Sequence, residues 1–300
     1  MSEIEKLHHQ FCQYSLTFKG NTPRTIKWFK EDFRWFIRFS NITEIEALTK
    51  QSIESWIIKG KLEKNWSVRT IRLRIQSLSL FLDWCVNEEI VKDNPCKRIP
   101  LPKLPKSLPK SLTEDQTDKL LDWVKNYPFS YKFERLRSIA IISTFIYTGI
   151  RNTELMNLKV TDVDLENKTL FVRLGKCGKD RLIPLHPSLI NVLTDYIKDR
   201  QRLKKCCPYF FTSLTNDAKM GESVVKRLVE KLRSKSGVYF YPHLLRHTFA
   251  TLMLEGGCNL YALSKMMGHS DIKTTTIYLG ASKAHLQEQI VMHPIGFKGR

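Results

Sequence analysis

His243-Leu244-Leu245-Arg246-His247, followed by Gly268-His269 and then by Tyr278, is the stretch on which the reading of this chain turns. A second arginine of the same kind lies well upstream, in Thr148-Gly149-Ile150-Arg151. Arg246 stands three residues after His243, so on a helix both side chains can face one ligand. An arginine fork stays charged and donates two parallel hydrogen bonds, which suits the non-bridging oxygens of a phosphodiester. A tyrosine hydroxyl can attack phosphorus, and histidines can move or steady protons. Together these residues imply DNA cutting and rejoining through a covalent protein–DNA bond, with no metal site and no cofactor.

Composition agrees with a nucleic-acid partner. The 300 residues carry a formal net charge of +19 and a pI near 9.6. The first hundred residues hold 17 Lys+Arg against 12 Asp+Glu, so most of the excess lies further on. Such a surplus fits a polyanion: nucleic acid first, an anionic membrane second. The membrane reading is weak. The longest apolar stretch, Ile139 to Ile150, is too short to span a bilayer and predicts a buried helix. The N-terminus, Met1-Ser2-Glu3-Ile4-Glu5-Lys6, has no apolar signal region. Seven cysteines without a C-x-x-C argue against a disulfide framework or zinc site and for a reducing, cytoplasmic setting.

The length suits two domains. Five prolines between Asn94 and Lys110 rule out a continuous helix or strand there. The same stretch carries five basic residues and no acid, Lys97, Arg98 and Lys103 among them, and reads as a basic strap for a phosphate backbone. The organisation expected is therefore a helical DNA-binding domain over 1–93, a linker over 94–110 and a second domain over 111–300.

Thr22-Pro23 opens a helix whose Ile26, Phe29, Phe33, Phe36 and Ile37 make one apolar face. Ser67 opens another, with Val68, Ile71, Ile75, Leu78 and Leu82 as the buried stripe. Arg69, Arg72 and Arg74 fall off that stripe, where they could grip phosphates or simply be solvated. After the linker, Ser111-Leu112-Thr113-Glu114 resembles a capping box. Residues 170–174 and 181–185 read as two strands of a hairpin with a basic tip, Gly175 to Asp180. Helical patterns return over 187–202, 222–234, 243–254 and 260–267. The fold class expected is mainly α with one small β-sheet.

On these segments the chain resembles the tyrosine recombinase (phage integrase) family, most closely its Xer subgroup and short mobile-element integrases. The resemblance rests on Thr148 to Leu155, the Gly175–Leu185 hairpin, His243-Leu244-Leu245-Arg246-His247, and Gly268-His269-Ser270-Asp271 running to Tyr278. It implies a two-domain DNA clamp and roles for particular residues. Arg151 and Arg246 would hold the scissile phosphate. Tyr278, nine residues after His269, would be the nucleophile and form a 3′-phosphotyrosine. His243 would exchange the tyrosine's proton, and His269 would bond the phosphate or support the tyrosine. Lys176, directly after the hairpin glycine, would protonate the departing 5′-oxygen, with Lys179 the lesser candidate. His247 would point elsewhere and be structural.

The resemblance further implies double-stranded DNA as partner, strand exchange through a Holliday junction, and a homo- or hetero-tetramer joined by an exchanged C-terminal helix over 281–290. Integration or excision of a mobile element and Xer-type dimer resolution fit equally. Two other readings share parts of this pattern: a catalytically silent architectural DNA-binding protein and a type IB topoisomerase-like enzyme. The complete residue set disfavours the first, and the helical first domain with its short linker disfavours the second.

Overall fold

The computed structural model describes residues 2–104, 110–173, 180–269, 271 and 273–278. The chain divides into two compact units, 1–106 and 107–300.

The first unit is built from α1 (Glu3–Thr17), α2 (Pro23–Ser40), α3 (Lys50–Lys64) and α4 (Val68–Asn87). Thr22 and Ser67 cap α2 and α4 as their sequence positions predict, each side chain accepting from a backbone N–H of the first turn. The core is aromatic. Phe11, Phe29, Phe33, Phe36, Phe81, Trp56 and Trp66 are buried together, and the His8 ring stacks on Phe33 at 3.8 Å. Each such side chain withdrawn from water contributes about 1.5–3 kcal/mol. Gly60 is required by this packing, because a Cβ there would lie 2.2 Å from the Trp66 ring.

The expected linker is corrected at its start. Asn94 donates from its amide to Ser79 and Asp83 and accepts from the Cys96 N–H, so Pro95–Arg98 turns into a short 3₁₀ helix. Cys96 and Ile99 are buried in the core of the first unit. Residues 94–99 are therefore its packed end rather than a strap. Lys97 pairs with Asp83 at 2.7 Å and Arg98 with Asp93 at 2.5 Å.

The second unit places α6 (Lys132–Thr148) at its centre, against α5 (Glu114–Asn126), α8 (Pro187–Arg202) and α10 (Pro242–Glu255). The run from Ile139 lies in this helix, which is buried on nearly every side and so lacks a polar face. The cap of α5 is Thr113, paired with Gln116, not Ser111 with Glu114. The hairpin strands form as β2 (Thr169–Val172) and β3 (Arg181–Pro184), antiparallel, joined by a short β1 (Val163–Asp164) that the sequence did not announce. Leu170, Val172 and Ile183 face the core, and Arg181 shares their side of the sheet. α7 (Asn152–Asn157), α9 (Glu222–Ser236), α11 (Leu260–Met267) and α12 (Lys273–Thr276) complete the unit. No helix among the described residues is long and apolar enough to cross a membrane.

Candidate active site

Three arginines meet at the end of one short helix. The carbonyls closing α11 have no partner within the helix and carry its negative pole. Met266 O accepts from Arg181 Nε at 2.7 Å, Met267 O from Arg246 Nη2 at 2.6 Å, and Gly268 O from Arg151 Nη2 at 3.3 Å. Three consecutive acceptors thus fix three guanidinium groups that would otherwise repel one another. Gly268 has a φ of +64° and presses on Arg181, where a Cβ would lie 2.9 Å from Cδ. Only glycine meets both demands easily.

Arg151 is placed by the end of α6. Gly149 stops that helix in the left-handed region, Ile150 is buried, and Arg151 becomes the N-cap of α7. Its N–H donates to Glu154 Oε2 at 2.9 Å and its Nη1 to Oε1 at 2.7 Å. Gly149 also allows α10 to come close, since a Cβ there would sit 2.4 Å from Phe249 Cδ1. The Gly149 carbonyl accepts from Arg246 Nη1 at 2.7 Å. Arg246 is thereby held from two directions and is only 3% exposed.

The electrostatics follow from this crowding. Burial first, then the charges of Arg151 and Arg181, lower the Arg246 pKa to about 10, so it remains a cation at neutral pH. Burial works to raise Glu154, but hydrogen bonds and charge from Arg181, and then Arg151, hold it at about 2. His269 is pushed to about 4 by burial and then by the arginines, and is neutral at pH 7. Its Nε2 lies 3.1 Å from Arg246 Nη2 and its Nδ1 2.7 Å from Thr275 Oγ1. Arginine can only donate, so Nε2 accepts and Nδ1–H donates to Thr275. The Thr275 carbonyl accepts from the Tyr278 N–H at 3.1 Å. His269 therefore ties Arg246 to the turn that carries the tyrosine.

Tyr278 is 2% exposed, packed with Phe249, Ala250, Leu254, Leu263 and Met267. Burial raises its pKa, partly offset by Arg246. Its hydroxyl lies 2.6 Å from His247 Nδ1. The expectation that His247 points elsewhere is thus overturned. One helical turn separates it from His243, and the two rings meet edge-on at 4.5 Å. His243 itself is exposed.

Several expected residues stand apart from this cluster, and one important residue escapes sequence reasoning. Lys176, Lys179 and the segment 281–290, expected as a helix, lie outside the described residues. Arg74 is not on an open face: it pairs with Asp32 at 2.8 Å and lies over the Trp66 ring at 4.2 Å. Arg72 donates to Pro102 O at 2.9 Å, while Arg69 and Lys103 are exposed. The residue that escapes is Arg181, because an arginine in a short strand reads as solvent-facing. Its one sequence signal is register, since it alternates in phase with Ile183.

Comparison with known proteins decides the family. The model of the phage integrase family matches residues 110–285, and that of the phage integrase N-terminal SAM-like domain matches 9–92. The chain belongs to the phage integrase family of tyrosine recombinases. It is 35% identical to tyrosine recombinase XerA of Pyrococcus furiosus, covering 94% of this chain and 91% of that one. It is 30% identical to XerC of Bacillus pumilus, covering 99% of each. Among solved structures, the Tn1549 transposon integrase in complex with a circular intermediate DNA superposes with a TM-score of 0.74 at 21% identity, over 97% of this chain and 99% of that one. The XerH recombinase bound to difH in a post-cleavage complex gives 0.73 at 20%, over 95% and 84%. The chain is a site-specific DNA recombinase, an enzyme that breaks and rejoins DNA. The relatives favour neither the architectural nor the topoisomerase reading.

Proposed function

We propose that Arg151 and Arg246 hold the non-bridging oxygens of a scissile phosphodiester in double-stranded DNA while Tyr278 attacks the phosphorus. The attack leaves a 3′-phosphotyrosine and a 5′-hydroxyl, and the ester so formed retains the energy needed for rejoining. Lys176 protonates the leaving 5′-oxygen. His269 steadies Arg246 and, through Thr275, the tyrosine turn. The family resemblance offers His243 for the tyrosine's proton.

The observation that supports this reading most is convergence. Arg151 and Arg246 are anchored by adjacent carbonyls, and the charge of Arg246 reaches the Tyr278 hydroxyl. Removing one such donor from a developing oxyanion costs roughly 100- to 1,000-fold in rate. In the same reading, cytoplasmic protomers work as a homo- or hetero-tetramer joined through the 281–290 segment, exchange strands through a Holliday junction, and use Arg69 and Lys103 on the DNA backbone.

Nicked suicide duplexes with a randomised core test the proposal without the target site being specified. The wild-type protein is expected to retain a subset of duplexes through denaturation, and Arg151→Ala to lose most of that retention. Binding without any denaturation-resistant complex would contradict the proposal.

A further inference from the structure

We infer that His247, rather than His243, takes the phenolic proton of Tyr278 as the hydroxyl attacks phosphorus. The inference rests on the reading of Tyr278 as nucleophile and adds a residue to it.

Geometry carries the argument. The His247 Nδ1 is 2.6 Å from the Tyr278 hydroxyl, well inside hydrogen-bond reach. The ring centroids are 5.5 Å apart with the planes inclined at 51°. A buried phenol must place its proton on an acceptor. Among the described residues that acceptor is Nδ1, which assigns His247 the tautomer with its proton on Nε2. The hydroxyl is thus already donating along the path its proton takes on attack. His243 meets the His247 ring edge-on.

The surroundings make the acceptor responsive to substrate. Burial, then His243 and Arg246, lower the His247 pKa to about 4, so the imidazole is neutral and free to accept at pH 7. The groups around it are His243 and Arg246 on α10, His269 after α11, and Tyr278. A phosphodiester seated on Arg246 cancels part of the positive charge that depresses the imidazole. Its proton affinity therefore rises when a scissile phosphate is in place, and the base strengthens at the moment of use. The step balances: the Tyr278 oxygen–phosphorus bond forms, the phosphorus–5′-oxygen bond breaks, the phenolic proton moves to His247 Nδ1, and the 5′-oxygen takes a proton from Lys176. Rejoining runs the same transfers in reverse.

The test uses single-turnover covalent capture by the full chain on a suicide duplex, followed from pH 6 to pH 9. In His247→Asn the side-chain oxygen can still accept the tyrosine's hydrogen bond but cannot take its proton. A lost general base costs typically 10²- to 10⁴-fold. His247→Asn and His247→Ala are expected to slow capture by about that factor with DNA binding retained. Their rates should climb with pH where the wild-type rate is flat, and free imidazole should restore His247→Ala but not His247→Asn. Capture by His247→Asn within a few fold of wild type would reduce His247 to a hydrogen-bonding prop and overturn the inference. So would a slow variant with an unchanged pH profile and no rescue, or the same signature appearing in His243→Asn instead. In each of those cases wild-type capture through Tyr278 still stands. An unreactive wild-type protein, or an adduct that survives Tyr278→Phe, would overturn the reading of Tyr278 and this inference with it.

Discussion

Arg181 holds Glu154 with both of its terminal nitrogens, Nη1 to Oε1 at 3.0 Å and Nη2 to Oε2 at 2.6 Å. The same carboxylate holds Arg151 by its backbone N–H and its guanidinium. One buried anion therefore connects the hairpin strand β3 to the arginine after α6, and Arg181 carries the connection on to the end of α11.

Removing that anion should be expensive. Breaking one side of a buried ion pair costs about 3–5 kcal/mol, because the remaining charge is left uncompensated. Glu154→Ala is expected to lose about that much by urea unfolding of the second unit. Arg151→Ala should lose less, since Arg151 is more exposed and Glu154 keeps Arg181. The pH dependence has a definite sign. The folded pKa of Glu154 lies below its ordinary 4.5, so its contribution is present above pH 4.5 and fades as the pH falls towards about 2. A Glu154→Ala protein as stable as wild type at pH 7 would contradict this account of the network.

Gly149→Ala is a test of the approach between α6 and α10. The added methyl meets Phe249 and the backbone is left-handed, with φ at +58°. Left-handed strain of roughly 1–2 kcal/mol adds to overpacking of about 1–3 kcal/mol. Loss of stability should be accompanied by loss of covalent capture, because the Gly149 carbonyl positions Arg246. Thermal unfolding and capture measured on one preparation check both effects.

Arg69 and Arg74 should separate cleanly. Arg74→Ala leaves Asp32 buried without its partner and is expected to destabilise the first unit. Arg69→Ala should leave stability unchanged and weaken DNA binding. The slope of log affinity against log salt should fall by about one for each phosphate no longer neutralised. Fluorescence anisotropy across a salt series, beside urea unfolding, distinguishes the two.

Lys176 is tested by changing the leaving group. Lys176→Ala should slow cleavage of an ordinary duplex far more than it weakens binding. A 5′-bridging phosphorothiolate offers a sulfur that departs without a proton and should largely restore the variant. Lys179→Ala should remain active on the ordinary duplex. The reverse pattern would place the general acid on Lys179.

Much of the architecture is legible in the sequence because local chemistry and tertiary packing agree. Thr22-Pro23 and Ser67 cap helices whose apolar stripes are the ones buried, and α8 and α11 run between the residues their periodicity marks. The failures share a cause: side chains whose environment is set by distant parts of the chain. Arg74 looks exposed on its own helix, yet its guanidinium lies over Trp66 and reaches Asp32 on α2. Arg181 occupies an inward register because Glu154 and the α11 carbonyls stand ready to receive it. His247 looks spare beside the motif, although its position one turn from His243 keeps it beside the tyrosine. The prolines after Asn94 suggest an open strap, but Asn94 and Cys96 anchor the first of them to α4.

The most direct measurement is to find which residue carries the DNA. Denaturation-resistant complexes from a suicide duplex can be digested with nuclease and protease, and the modified peptide sequenced by tandem mass spectrometry. A single nucleotide joined by its 3′-phosphate to Tyr278 is expected, with no adduct from Tyr278→Phe although that protein still binds DNA. A nucleotide on any other residue, or an adduct that persists in Tyr278→Phe, would contradict it.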